Sequence, residues 1–541
     1  MELEQKDLVN PELRLIEGQI DEYHKRNQLT TLPFAQAAWY YMAFCEDFLM
    51  IHGLKGHSDA FLDNVALTDE WIADLKSPLF WLYSCCAIGG RLSQSMDMGL
   101  YESAREMFSF SERYSPFEYA FTYASRGLFQ ISLQDGVIVP SDDLRLSIQL
   151  QAYDYLVRAG DTKDDFDFGP MFELVKPLLR VDGPRFTYKL NPRLMSTAME
   201  LLGPLLDRRY SLPDRWKFSR YSMADFKKVS QVLVTIGYIH LAVRLLAIQQ
   251  GCEALGYLDS IFLASPSELS SRLVRYSGCE AQKVDALIED MTYAGRGVER
   301  PDPAIQPLVM LNDETYALMP SLVTNSWMER NFIVLLNRIP AEKAIYASLV
   351  REKEVMMRDR IIGELCLPSL RFFHGKAVRY RRVGGVDLAL ISDAEKICII
   401  LELKWFVMPA EVREIMEKSE EIEKGVNQLL QLSDVISQDS TDFFRRLQID
   451  QSYRLVYAVV SDNFIGMHKT KYPQVPVVQA AHLIRKANQF GGLQELSAWL
   501  ENHDYLPVEG IHYEVVEEVW KIGEWALKWL GMRLLDKHDF E

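Results

Sequence analysis

Gly384–Phe406 reads GGVDLALISDAEKICIILELKWF, and the fold of the second half of the chain turns on this stretch. Two apolar runs, Val386–Ser392 and Ile397–Trp405, flank a short acidic turn. Neither run is long enough for a typical helix and β-branched residues open the second, so the pair predicts a β-hairpin. Three ionisable side chains interrupt it: Asp387 near the start of the first strand, Glu402 and Lys404 near the end of the second. Side chains alternate along a strand, so Glu402 and Lys404 share one face while Leu401 and Leu403 take the other. A charge buried without a partner is costly, so charges inside apolar strands need a reason. Two acids and an amine gathered at one end of a hairpin have the composition of a site for a metal ion and a water.

Around the hairpin, Ala344–Leu365 predicts a helix stopped before Pro368, and Ala377–Val383 a strand. Gly425–Ser437 predicts a further helix and Tyr453–Ser461 (YRLVYAVVS) a further strand. Asp387, followed fifteen residues later by Glu402-Leu403-Lys404 within that order of elements, resembles the active-site signature of the PD-(D/E)XK nuclease superfamily, the restriction-endonuclease-like fold. The resemblance covers about Ala344 to Leu496, with Val386 where the family often has a proline. It implies a magnesium-dependent endonuclease, a hydrolase of phosphodiester bonds, in which manganese can stand in for magnesium. Asp387 and Glu402 would hold the ion, the Leu403 carbonyl would add a ligand, and Lys404 would orient or activate the attacking water. Glu364, at the end of the preceding helix, is a candidate extra ligand, and Gln428 matches a position where several members place a glutamine. A solvated helix end for Glu364 and a backbone-bonding helix residue for Gln428 stand beside those roles.

A polyanionic substrate needs local positive charge. Arg371, Lys376, Arg379, Arg381 and Arg382 lie just before the hairpin, interleaved with Phe372, Phe373 and Tyr380. Cations beside aromatics can meet phosphates and stack on bases. Arg379 and Arg381 share a strand face, so only part of the run points one way. A second basic run, Arg208–Lys228, sets seven cationic residues against Asp214 and Asp225. A solvated face or a contact to the acidic run Glu411–Glu423 is its alternative reading.

The chain of 541 residues is too long for one core. Its pattern predicts a helical domain over 1–160, a second helical subdomain over 161–300, and a PD-(D/E)XK-like α/β domain with C-terminal helices over 301–541. Gly295–Pro307 (GRGVERPDPAIQP) reads as the linker, followed by a hairpin, PLVML-NDE-TYALMP, leading into the α/β domain. At the other end, apolar Val515, Val519, Ile522, Ala526 and Leu530, with Trp520, Trp525 and Trp529 beside them, predict a last helix.

With 48% hydrophobic and 25% charged residues the composition is that of an ordinary globular protein. The net charge of −17 excludes non-specific coating of nucleic acid or anionic membrane. Seven scattered cysteines without a C-x-x-C pair fit reduced thiols. The N-terminus, MELEQKDLVNPELRL, carries no signal-peptide pattern, so a cytoplasmic protein is expected. The most apolar helix, Val229–Ala247, contains Gln231, His240 and Arg244, as a core helix does and a membrane span does not. No phosphate-binding loop, dinucleotide fingerprint, histidine metal set or G-x-S-x-G elbow appears.

These readings converge on a nuclease acting on nucleic acid, DNA ahead of RNA, without a membrane. The helical N-terminal region then senses a signal, binds a protein partner or restrains the nuclease, and oligomerisation stays open. The combination is similar in architecture to stand-alone effectors of bacterial antiphage defence. Two rivals stay open: a scaffold whose nuclease-like fold is structural, and a nuclease directed at RNA.

Overall fold

The computed structural model describes the chain except residues 1–9, 56–60, 94, 142, 162–166, 253–257, 375–385, 410–411, 439–440, 468–474, 536–539 and 541. It is a mixed protein of two compact units, each assembled from separated stretches of chain. A mainly helical unit comprises Leu15–Phe117 and Asp164–Ser348, and an α/β unit comprises Met1–Arg14, Glu118–Lys163 and Leu349–Glu541. This partition differs from the consecutive domains expected at 1–160, 161–300 and 301–541. Residues 118–163 go with the α/β unit, and 301–348 with the helical one.

The helical unit is organised around Met223–Gln249. Its N-terminus is closed by a capping box, Ser222 Oγ accepting from the Asp225 amide while the Asp225 carboxylate accepts from the Ser222 amide. From Val229 to Ala247 nearly every side chain is buried, so the helix is the middle of a core. It is long and apolar enough to cross a membrane, but 83% of its most apolar window is already covered by protein. Arg244 enters this interior by pairing with Asp47, and the neighbouring Glu46 accepts from the amide (2.8 Å) and hydroxyl (2.7 Å) of Ser321.

The stretch expected to be a linker is ordered within this unit. Gly295–Gly297 forms a short 3-10 turn, and buried Gln306 donates to the carbonyl of Asp290 at 3.0 Å. The hairpin after it exists, Leu308–Asn312 paired with Thr315–Leu318, but its third strand is Phe262–Ala264 of the same unit. It does not lead into the α/β sheet.

In the α/β unit the part from Leu349 onward of a helix, α1 (Pro340–Glu364), is followed by β1 (Leu370–Phe373), β2 (Leu388–Ser392), β3 (Ile397–Lys404), a long helix α2 (Val412–Gln438), β4 (Arg454–Ser461) and β5 (Val477–Gln479). The five strands form one sheet in the order β5-β4-β3-β2-β1. β1 and β2 pair antiparallel, as do β2 and β3, whereas β3, β4 and β5 are mutually parallel. α2 supplies the long crossover that a parallel pair requires. The expected strand Ala377–Val383 lies outside the described residues, and β1 precedes it. Ile397–Leu403 is buried along its whole length, as a central strand covered on both faces should be.

The predicted C-terminal helix is a β-hairpin instead. Tyr513–Ile522 pairs antiparallel with Trp525–Leu534 around a two-residue loop, Gly523-Glu524, in which Gly523 has φ +59°. Trp525–Leu534 then pairs with Val137–Pro140, completing a four-stranded sheet with Ile131–Gln134. Val515, Val519 and Ile522 of the apparent helical period are β-branched and the tryptophans beside it aromatic, and a glycine loop between two such runs favours the hairpin. Trp529 packs edge-on to Phe129 at 6.3 Å, so this surface docks onto its own unit.

Candidate active site

The β2–β3 register decides what the three ionisable residues can do. Ser392 pairs with Ile397 and Leu388 with Leu401, leaving Asp393–Lys396 as the loop, with Lys396 at φ +55°. One step beyond the last pair, Asp387 stands opposite Glu402. Directly opposed residues on one face of an antiparallel pair have Cβ atoms about 4.5–5.5 Å apart. Asp387 Oδ2 accepts from the Leu403 amide at 2.9 Å, which pins its carboxylate to β3. Lys404 Nζ donates to Glu402 Oε1 at 2.7 Å and to Gln428 Oε1 at 3.3 Å.

Electrostatics follow from that crowding. Burial first, and then the charge of Asp387, push Glu402 up to about 7, against the opposing pull of Lys404. Asp387 is raised as well, mainly by burial, although the Leu403 amide, Lys404 and Arg358 favour its ionised form. Two carboxyls that share a small, partly dry space cannot both ionise comfortably unless a cation joins them.

α2 closes over this end of the sheet at Gly425. A methyl there would stand 2.9 Å from Lys404 Cε and 3.3 Å from Glu402 Cγ, so with any side chain at this position the Lys404 stem must give way for the helix to come this close. The lip is an open cleft of about 550 Å³ whose lining includes Lys404, Trp405, Glu354, Glu421, Lys424 and Gln428. Lys353, itself buried, places its ammonium 3.6 Å from the centre of the Trp405 ring.

The structure brings together Asp387, Glu402, Lys404 and Gln428. It does not bring Glu364 to them. That carboxylate accepts from Arg360 at 3.2 Å, and the acid of α1 that reaches the cleft is Glu354, ten residues or about 15 Å earlier on the helix. Glu354 is exposed over much of its surface, yet its carboxyl is raised by desolvation and by the charge of Asp387. Arg371 is also elsewhere. It pairs with Ile391, four residues or about 13 Å along β2 from Asp387, and is bound to Asp393 at 2.6 Å.

Lys376, Arg379 and Arg381, with Arg382 and Tyr380, lie outside the described residues. Three cations of the second basic run are engaged within the helical unit. Arg209 donates to the Thr324 carbonyl at 2.6 Å, Arg220 pairs with Asp290 and Glu289, and Lys227 with Asp214 at 2.9 Å. Sequence reasoning missed Glu354, Trp405 and Gly425. Only the glycine carried a signal, as an isolated glycine inside a helical pattern that marks close packing.

As a cation site, the set is two carboxylates and whatever backbone carbonyls lie beside them. Among the described residues no group of three or more His, Cys, Asp or Glu side chains is arranged to hold a metal. Magnesium keeps several of its waters and is commonly held by one or two carboxylates, so Asp387 and Glu402 fit it. No known protein family, curated protein or solved structure matches this chain.

Proposed function

We propose that the α/β unit is a magnesium-dependent nuclease of the PD-(D/E)XK type that hydrolyses phosphodiester bonds, of DNA in the first instance. One observation supports the reading: Asp387, Glu402 and Lys404 from neighbouring strands meet at one end of the hairpin, and Lys404 opens onto the cleft. The helix, three strands, helix, strand order around them supports it. When bound between Asp387 and Glu402, magnesium supplies a polarised water and relief of charge on the phosphate. The protein's own part is positioning. The Leu403 amide fixes Asp387, while Glu402 and Gln428 hold the Lys404 ammonium at the lip, where it can orient the water and face the charge that develops on phosphate oxygen.

The helical unit then carries sensing or restraint, which fits an effector of antiphage defence by analogy of architecture. The test is incubation of the full chain with plasmid DNA, with single-stranded DNA and with an RNA transcript, each with and without magnesium, beside Asp387→Ala and Lys404→Ala. Cleavage of DNA by the unaltered chain alone is expected. Cutting of RNA alone would redirect the substrate. No cutting by any of the three across several metals would leave a scaffold.

A further inference from the structure

The walls of the cleft say what sort of strand it takes. Trp405 follows Lys404 directly, lines the cleft, and is held by the Lys353 ammonium against its ring. Across from it, α2 presents Lys424, Asn427, Gln428 and Gln431. That spacing of three, one and three residues puts all four on one helix face. Amide side chains both donate and accept, as the edges of nucleobases do, and an indole face stacks on any base.

Charge points the same way. Among the described residues lining the cleft, Lys404 and Lys424 are balanced by Glu354 and Glu421, and Lys404 is already committed to Glu402. Duplex DNA carries one negative charge per about 1.7 Å and is met by a surplus of cations. Among the described residues, an aromatic wall and an amide row beside paired charges suit a base better than a backbone. Its volume, about 550 Å³, lies in the range of roughly 300–1,000 Å³ usual for small-ligand sites and is enough to seat one nucleotide.

We propose that the cleft holds one unpaired nucleotide, its base stacked on Trp405 and its edge met by the amides of α2, so that the substrate is single-stranded DNA. This rests on the nuclease reading for its purpose, though not for its measurement. Binding is read by fluorescence anisotropy of a labelled single-stranded DNA oligonucleotide and its blunt duplex, using the full chain without magnesium so that nothing is cut. The single strand should bind at least tenfold more tightly. Trp405→Ala should weaken it by roughly five- to a hundredfold, the worth of one base–aromatic stack, while Trp405→Phe keeps most of the affinity. Equal affinity for duplex and single strand overturns the proposal, and needs no variant. Unchanged binding by a folded Trp405→Ala overturns it too. Cleavage with magnesium is scored separately: a strand bound through Trp405 but never cut removes the nuclease reading alone, and duplex cut with no dependence on Trp405 overturns the single-strand proposal and leaves the nuclease reading.

Discussion

Replacing Gly425 with alanine separates the placement of the Lys404 ammonium from its presence. The added methyl would stand 2.9 Å from Lys404 Cε, 3.3 Å from Glu402 Cγ and 3.4 Å from Val459 Cγ2. Carbon atoms rest about 3.5–4.0 Å apart, so something must yield. Glu402 and Val459 belong to buried central strands, whereas Lys404 Cε is one bond from the end of a flexible chain that opens onto the cleft. Lys404 therefore swings outward and loses its bonds to Glu402 and Gln428. Helix propensity favours the alanine by about 1 kcal/mol. Against it stands the loss of one ion pair of about 1 kcal/mol, since the ammonium moves toward water and Glu402, already raised to about 7, can take a proton instead of being stranded as a charge. Stability should thus change by no more than about 1 kcal/mol, as a urea denaturation curve would show. Magnesium-dependent cleavage should fall about a hundredfold, the usual cost of misplacing a reacting group by about 1 Å. Wild-type cleavage at unchanged stability would refute the reasoning. So would a loss of about 3 kcal/mol or more, which would mean that the strands give way before Lys404 does.

Glu402→Gln keeps the shape and removes the charge that Asp387 opposes; cleavage should vanish while the melting temperature stays within about 4 °C, and a larger drop would mark a structural ion pair. Asp47→Ala should cost about 3–5 kcal/mol by denaturation, because it strands the buried Arg244 charge, and a cost near zero would show that the pair holds nothing. His240 is buried between the Tyr188 hydroxyl and the Asp259 carbonyl, and burial holds it down to about 4, so the fold favours its neutral form. Its contribution is complete above the ordinary pKa of about 6.5 and is lost as pH falls through 4; from pH 7 to pH 5 that is about 2 kcal/mol, which His240→Gln should remove from the pH dependence of urea midpoints. Gly523→Ala puts a side chain at φ +59° and should cost about 1–2 kcal/mol, with no effect if the terminal hairpin tolerates another turn.

The site was legible because it is local. Asp387 and Glu402 belong to one hairpin, and its register follows from two alternating runs and the loop between them. Gln428 came within reach because α2 begins soon after β3. Glu354 was not legible, since nothing in a helix's sequence says which of its turns crosses the ends of strands that have yet to form. Glu364 was the acid nearest in sequence, and the packing chose one three turns earlier. The C-terminal hairpin was misread because Val515, Val519 and Ile522 satisfy a helical spacing by accident. The Gly523-Glu524 step between β-rich runs was the better guide. The interleaving of the two units was beyond reach, as it is written in long-range contacts alone.

That interleaving has a consequence for how the molecule is made and cut. The α/β unit needs Glu118–Lys163, whose Tyr153 hydroxyl accepts from the Gln479 amide at 2.9 Å and whose Asp154 accepts from the Gln479 side chain at 2.6 Å. During synthesis this early piece must wait, unpartnered, until some 300 later residues have left the ribosome. A fragment beginning at residue 301 or 349 would carry the acids and the lysine yet lack a wall of its own interior, and should precipitate rather than cut. Excision by simple truncation is thus closed off, and the two units are inherited together.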